Sequence, residues 1–229
     1  MKLLSINVGQ PRDIPFGDRV VRTAIIKSPI ESTEVDVTHL GIEGDTQVDQ
    51  QHHGGIYQAV YGYFEESYNF WRTKLDRTDL VHGKFGENLT IAGMDEESVC
   101  IGDVFAFGEV QLQVSQPRQP CYKLGLVMND QGFVEQFLNS RRLGAYFRVL
   151  RAGRIRRDAA AEKIATASEE ISLSDVCRLR YFDKNDLAGA ARCANLPELS
   201  PEWRTFFAKR VRGTKYDSQK QLWPNSNSQ

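Results

Sequence analysis

Short apolar stretches divided by turn residues fill the first part of the chain. Leu3 to Val8, Val20 to Ile26 and Val35 to Leu40 are β-prone and are separated by clusters of Gly, Pro and Asp, the rhythm of a sheet or barrel. Val110, Leu112 and Val114 alternate with Gln111 and Gln113, which predicts a half-buried strand paired, across a turn at Gly108 and Glu109, with the run before it. A shorter strand is expected around Ala59 to Tyr61, and Tyr146 to Leu150 with Ile155 reads as a closing hairpin around Ala152 and Gly153. Phe64, Tyr68, Trp71 and Leu75 recur at helical spacing and predict one amphipathic helix, and Phe133, Val134, Phe137 and Leu138 predict another.

From Ser172 the pattern changes. Three helical segments are expected, near Ser174 to Tyr181, Asp186 to Asn195 and Pro201 to Arg212, the last with Ser200 as its cap, Pro201 at its first position and Glu202 in its first turn. The fold class that follows is mainly β (α+β): a β-rich domain with peripheral helices over residues 1–165, then a small three-helix all-α domain over residues 166–229. A segment of about sixty residues is near the lower limit for folding alone, so it should lean on the first domain or on a second subunit, and a homodimer is a reasonable expectation.

Composition adds limits. With 229 residues, 41% hydrophobic and 26% charged, the chain is long enough for a substantial core without disulfides. No apolar run is long enough to cross a bilayer and no basic, apolar leader follows Met1, so a cytoplasmic protein without membrane association is expected. The net charge of −1 argues against stable nucleic-acid binding. Seven arginines and no acid between Arg141 and Arg157 read either as a solvated rim or as a positive field for an anionic cofactor or an acidic protein partner. Cys100, Cys121, Cys177 and Cys193 form no CxxC pair, which indicates neither a disulfide framework nor a zinc knuckle. Cys177 and Cys193 fall in predicted helices and read as packing residues.

Two polar stretches carry candidate chemistry. LGIEGDTQVDQQHHGG, from Leu40 to Gly55, is too polar for core and reads as a long functional loop. Its Glu43, Asp45, Asp49, His52 and His53 are of the right type for a hydrolytic metal, but adjacent histidines in extended chain point to opposite faces and the spacing fits poorly. Gly54 and Gly55 would let backbone N–H groups approach an anion. The second stretch is SQPRQPC, from Ser115 to Cys121. Pro117 and Pro120 make it extended and stiff, holding Arg118 and Cys121 just past a strand end. Cys121 is then either a small packed hydrophobe or, with Arg118 and Lys123 favouring its thiolate, a nucleophile or soft-metal ligand. Between the stretches lies FGENL, where Glu87 and Asn88 are expected to be held outward between a glycine and a strand.

EGDTQVD, HHGG, FGENL, IGD and SQPRQPC, in this order, resemble the MOSC family, named for the C-terminal domain of molybdenum cofactor sulfurase, and in particular its stand-alone bacterial YiiM type, in which a three-helix domain follows. The resemblance covers nearly the whole chain. It implies a β-barrel-like fold, binding of the molybdenum-pterin cofactor and, as for several members, reduction of N-hydroxylated compounds such as N-hydroxylated bases. It further implies Cys121 as catalytic residue and protein ligand of molybdenum, Arg118 facing the anionic cofactor, and Gly44, Asp45, Gln47, His53, Gly54, Gly55 and Asn88 lining its pocket. No GxGxxG motif follows a strand, so the electron donor is expected to be a separate flavoprotein reductase, with Arg151 to Arg157 as its docking surface. Three alternatives stay open: a cofactor or persulfide carrier without turnover, a cysteine-dependent hydrolase or transferase with His53 as base, and an interaction module built on the three helices.

Overall fold

A computed structural model describes residues 1–48 and 54–213. Thirteen strands and six α-helices follow one another in them. The strands begin with β1 (Lys2–Val8), β2 (Arg12–Phe16), β3 (Arg19–Thr23), β4 (Ser28–Pro29), β5 (Glu34–Thr38) and β6 (Gly41–Ile42). After β7 (Val60–Phe64) come α1 (Glu65–Leu75), β8 (Leu89–Ala92), β9 (Val104–Phe107), β10 (Val110–Pro117), α2 (Tyr122–Met128) and α3 (Phe133–Ser140). The sheet is completed by β11 (Ala145–Arg151), β12 (Gly153–Arg156) and β13 (Ala161–Ala165), and the chain continues through α4 (Leu173–Cys177), α5 (Leu187–Asn195) and α6 (Pro201–Val211).

Eight strands form one sheet in the order β13-β9-β10-β11-β7-β8-β1-β4. Its β7–β8 pair is parallel, because α1 and the following loop carry the chain back to the same end, as a parallel pairing demands. The sheet curls until β1 reaches the start of β13 through a single bridge, Lys2 to Ala160. The fold is therefore barrel-like but not closed by a continuous ladder. Leu3, Leu89, Ile91, Leu112, Val114 and Phe147 fill the inside. A second, aromatic core lies where Tyr68 and Trp71 of α1 meet Phe85, Phe133 and Phe137. Both predicted amphipathic helices thus bury the faces read from their periodicity.

Three expectations change. Tyr146 to Ile155 is not a hairpin: β11 pairs with β10 and β7, whereas β12 leaves for a three-stranded sheet and pairs with β5. The short link at Ala152 and Gly153 thus divides the chain between two sheets. Ser200 does begin α6 but its side chain caps nothing; its amide instead donates to the Ser115 carbonyl at 3.2 Å. Glu87 and Asn88 point inward and are buried, where Glu87 Oε1 and the Asn88 amide find hydrogen-bond partners.

The helical segment packs directly on the barrel. Leu173, Val176, Leu179, Trp203 and Phe207 are continuous with the main core, and the Leu173 amide donates to the Val99 carbonyl at 2.9 Å. Between α4 and α5 the helix widens into a π-turn, Arg178–Phe182. Cys177 and Cys193 are buried there, and burial pushes both thiols up to about 12 as an apolar surrounding does.

Candidate functional site

The proline strap leaves β10 at Pro117 and delivers Cys121 as the residue before α2. Arg118 turns inward: it is 5% exposed, donates from Nη1 to the Phe85 carbonyl, and lies over the Tyr61 ring with its guanidinium carbon 4.8 Å from the centroid. Burial acts to lower its pKa, but the phenols of Tyr61 and Tyr146 and the Cys121 sulfur outweigh this and raise it. The guanidinium remains a fixed positive charge beside the half-buried thiol.

An open cleft gathers Cys121, Arg118, Asn88, Gln47 and Gly54, with Lys27, Tyr61, Tyr146 and Lys123 among its other walls. Its few convergent polar groups against partly apolar walls suit a small-molecule or cofactor site. Lys27 carries no motif that sequence reasoning could single out, yet it stands at the polar centre of the site. Its ammonium pairs with Asp45, whose carboxylate also accepts from the Gly9 amide at 2.8 Å and from Asn88 Nδ2 at 2.8 Å. Burial lowers the Lys27 pKa, against the opposing pull of Asp45. The loop bearing Lys27 can approach because position 83 is glycine, where a Cβ would stand 2.6 Å from the Lys27 carbonyl oxygen.

Asn88 is fixed from both sides: its Oδ1 accepts the Tyr61 amide at 3.1 Å, and its Nδ2 also reaches the Asn7 carbonyl at 3.3 Å. Behind it the fully buried Glu87 accepts at Oε1 from Tyr68 Oη (2.6 Å), the Gly83 amide (2.6 Å) and Thr90 Oγ1 (2.9 Å). FGENL is therefore the inner wall of the cleft rather than an outward turn.

The other residues predicted from the loop divide. Asp45, Gln47 and Gly55 line a neighbouring hollow with Leu40, Gly41 and Ile42. Gly44 lines neither hollow; at φ +82° it makes a turn, and its carbonyl accepts from Gln10 Nε2 at 2.6 Å. His53 lies outside the described residues, as do Asp49 and His52. Among the described residues no three His, Cys, Asp or Glu side chains converge as a protein-caged metal requires. Of the arginine-rich run, Arg154 is engaged with Glu34 and Asp36 and Arg148 donates to Gln113 at 2.6 Å. No helix among the described residues is long and apolar enough to cross a membrane.

Comparison with known proteins agrees with this architecture. Residues 49–162 match the MOSC domain and residues 171–214 match the YiiM-like, 3-alpha helix domain. The chain is 39% identical over 208 residues to YflK of Bacillus subtilis (strain 168), spanning 91% of this chain and 93% of that one. It is 30% identical over 198 residues to a protein of Gibberella moniliformis (strain M3125 / FGSC 7600) named "Reductase", spanning 85% of this chain but 35% of that longer protein. Among solved structures, YiiM from Geobacillus stearothermophilus superposes with a TM-score of 0.77 at 31% identity, covering 91% of this chain and 97% of that chain.

Proposed function

Because this chain belongs to the MOSC family in its YiiM-like form, we propose that its cleft binds the molybdenum-pterin cofactor through Cys121 and reduces N-hydroxylated compounds to amines. The observation that carries the reading is the joint presence in one cleft of a single half-buried thiol and a buried, permanently charged arginine. The Cys121 thiolate is a soft donor, which suits a metal that arrives with sulfur ligands of its own. Arg118, Lys27 and Lys123 supply positive charge toward an anionic cofactor, and Gly54 brings backbone close without a side chain in the way. The relative named a reductase supports the redox direction.

When bound, the cofactor supplies a metal that exchanges two electrons and takes an oxygen atom from substrate. The overall change is R–NHOH + 2 e⁻ + 2 H⁺ → R–NH₂ + H₂O, with the electrons from a separate flavoprotein reductase. The residues of the chain hold and orient the reactants. Burial raises the Tyr146 pKa above its ordinary value, so this phenol stays protonated as a donor at the cleft wall. Asp45 holds the Lys27 ammonium at a fixed place, and Asn88, locked by three backbone and side-chain bonds, keeps the inner wall rigid.

Expression in a host able to make the cofactor, with purification away from air, tests the reading. Stoichiometric molybdenum and reduction of an N-hydroxylated base are expected, and Cys121→Ser should abolish both while leaving the thermal unfolding midpoint nearly unchanged. Bound sulfur without molybdenum would overturn it in favour of a carrier, and a grossly unfolded Cys121→Ser would return the cysteine to a packing role.

A further inference from the structure

We propose that Arg180, in the three-helix unit, is a positioning residue for the Cys121 strap, so that the helical unit braces the cleft instead of standing as an independent module. The proposal rests on the reading of Cys121 as the working residue of the cleft.

Extended chain sends successive side chains to opposite sides, and the strap uses this alternation. Arg118 goes toward the aromatic core, to the Phe85 carbonyl. Gln119, the next residue, is met from the other side by Arg180, whose Nη2 donates to its Oε1 at 3.1 Å. The start of the strap is held in the same two-sided way: the Ser115 carbonyl accepts the Ser200 amide at 3.2 Å, while the single Ser115 Oγ proton is within reach of the Tyr57 carbonyl at 2.5 Å and the Tyr146 carbonyl at 3.0 Å. The strap is thus tied to the helical unit at two places, Ser115 and Gln119.

Arg180 is an expensive residue to place here unless the contact with the strap matters. It is 2% exposed, and its Nε and Nη1 have no hydrogen-bond partner among the described residues. A buried charge left with unsatisfied donors is normally less favourable than an apolar side chain of similar volume. Its guanidinium carbon instead lies 4.2 Å from the Trp203 centroid and 4.4 Å from that of Phe206, which fixes the plane from which Nη2 points to Gln119. The backbone beneath it is held too, since Arg210 donates to the Leu179 and Arg180 carbonyls. Arg180 also falls in the π-turn, a distortion often kept where a side chain must be re-aimed.

Alkylation of Cys121 by iodoacetamide in the full chain without cofactor tests the brace, each cysteine being followed by peptide mass spectrometry. Cys100, equally half-buried, is the internal reference. Arg180→Met removes the donor and Gln119→Leu the acceptor. Each is expected to speed Cys121 alkylation about tenfold relative to Cys100, the scale of a lost charge-assisted hydrogen bond. The double variant should go no faster than either single one, and Gln119→Glu, which keeps the acceptor, should show no acceleration. Should Arg180→Met not fold, the two Gln119 variants, at a half-buried position, carry the comparison. In cofactor-loaded protein, Gln119→Leu should lower kcat while leaving KM nearly unchanged. An unchanged Cys121 rate in Gln119→Leu, or equal acceleration of Cys100 and Cys121, would overturn the brace. Because alkylation needs no molybdenum, a chain that never binds the cofactor defeats the proposed reduction without touching this result.

Discussion

Replacing Asp45 by Asn isolates the electrostatic centre of the cleft. The two side chains have nearly the same shape, so the Gly9 amide keeps an acceptor, but the negative charge facing Lys27 is removed and a donor NH₂ takes its place near Lys27 and Asn88 Nδ2. Both members of the pair are almost out of water, with side chains 9% and 7% exposed. A buried charge deprived of its partner costs about 3–5 kcal/mol, a large share of the roughly 5–15 kcal/mol typical of a folded protein. The loss should depend on pH. Burial already lowers the Lys27 pKa below its ordinary value in the folded state, and without Asp45 it falls further. Between that folded value and the unfolded one the unfolded chain binds more protons, so the stability of the variant rises with pH across this window. Urea unfolding of wild type and Asp45→Asn at neutral and alkaline pH measures it: a deficit of several kcal/mol at neutral pH that narrows as pH climbs. Lys27→Met added to Asp45→Asn should recover most of the loss, because it removes the unpaired charge while the Gly9 amide keeps its acceptor. A deficit below about 1 kcal/mol at neutral pH, the range of an exposed pair, or a double variant no better than Asp45→Asn, would refute the reasoning.

Glu96 gives a second pH signature. It is fully buried, accepts from Ser67 Oγ at 2.9 Å and the Gly144 amide at 3.0 Å, and burial raises its pKa to about 7. The folded state therefore holds a proton that the unfolded state has lost, and stability should fall by roughly 3 kcal/mol as pH rises from the ordinary carboxylate range through about 7. Glu96→Gln should flatten this slope in unfolding measured from about pH 4.5 to 8; an unchanged slope would assign it to another group. Gly144→Ala should be poorly tolerated, because at φ +68° its Cβ would stand 2.5 Å from the Gly62 carbonyl oxygen. A loss above about 2 kcal/mol is expected from strain and clash together, and a thermal midpoint equal to wild type would count against it.

Local pattern carried a good part of this architecture. The β9–β10 turn, the aromatic face of α1 and the proline-shaped end of β10 are written in alternation, helical period and fixed φ, all of which act within a few residues. The helix α2 was not visible: YKLGLVM is seven residues long with a glycine inside, too short and too weak in propensity to signal itself. The parting of β11 from β12 was hidden because a short link looks the same whether its strands pair with each other or with distant ones. Within the cleft, Cys121, Arg118 and Asn88 were marked by motifs. Lys27 was not, since its role comes from a loop brought against Gly83 and Asp45 by tertiary packing, and Arg180 was hidden for the same reason.

The single Lys2–Ala160 bridge has a consequence for how the protein is made. The backbone that meets the start of β1, residues 158–161, is synthesised about 150 residues after that strand. At ordinary elongation rates that delay is roughly ten to thirty seconds. Through that interval the nascent chain presents an incompletely paired strand, the kind of edge from which chains associate wrongly, so the demand for chaperones should be greatest before the seam can meet.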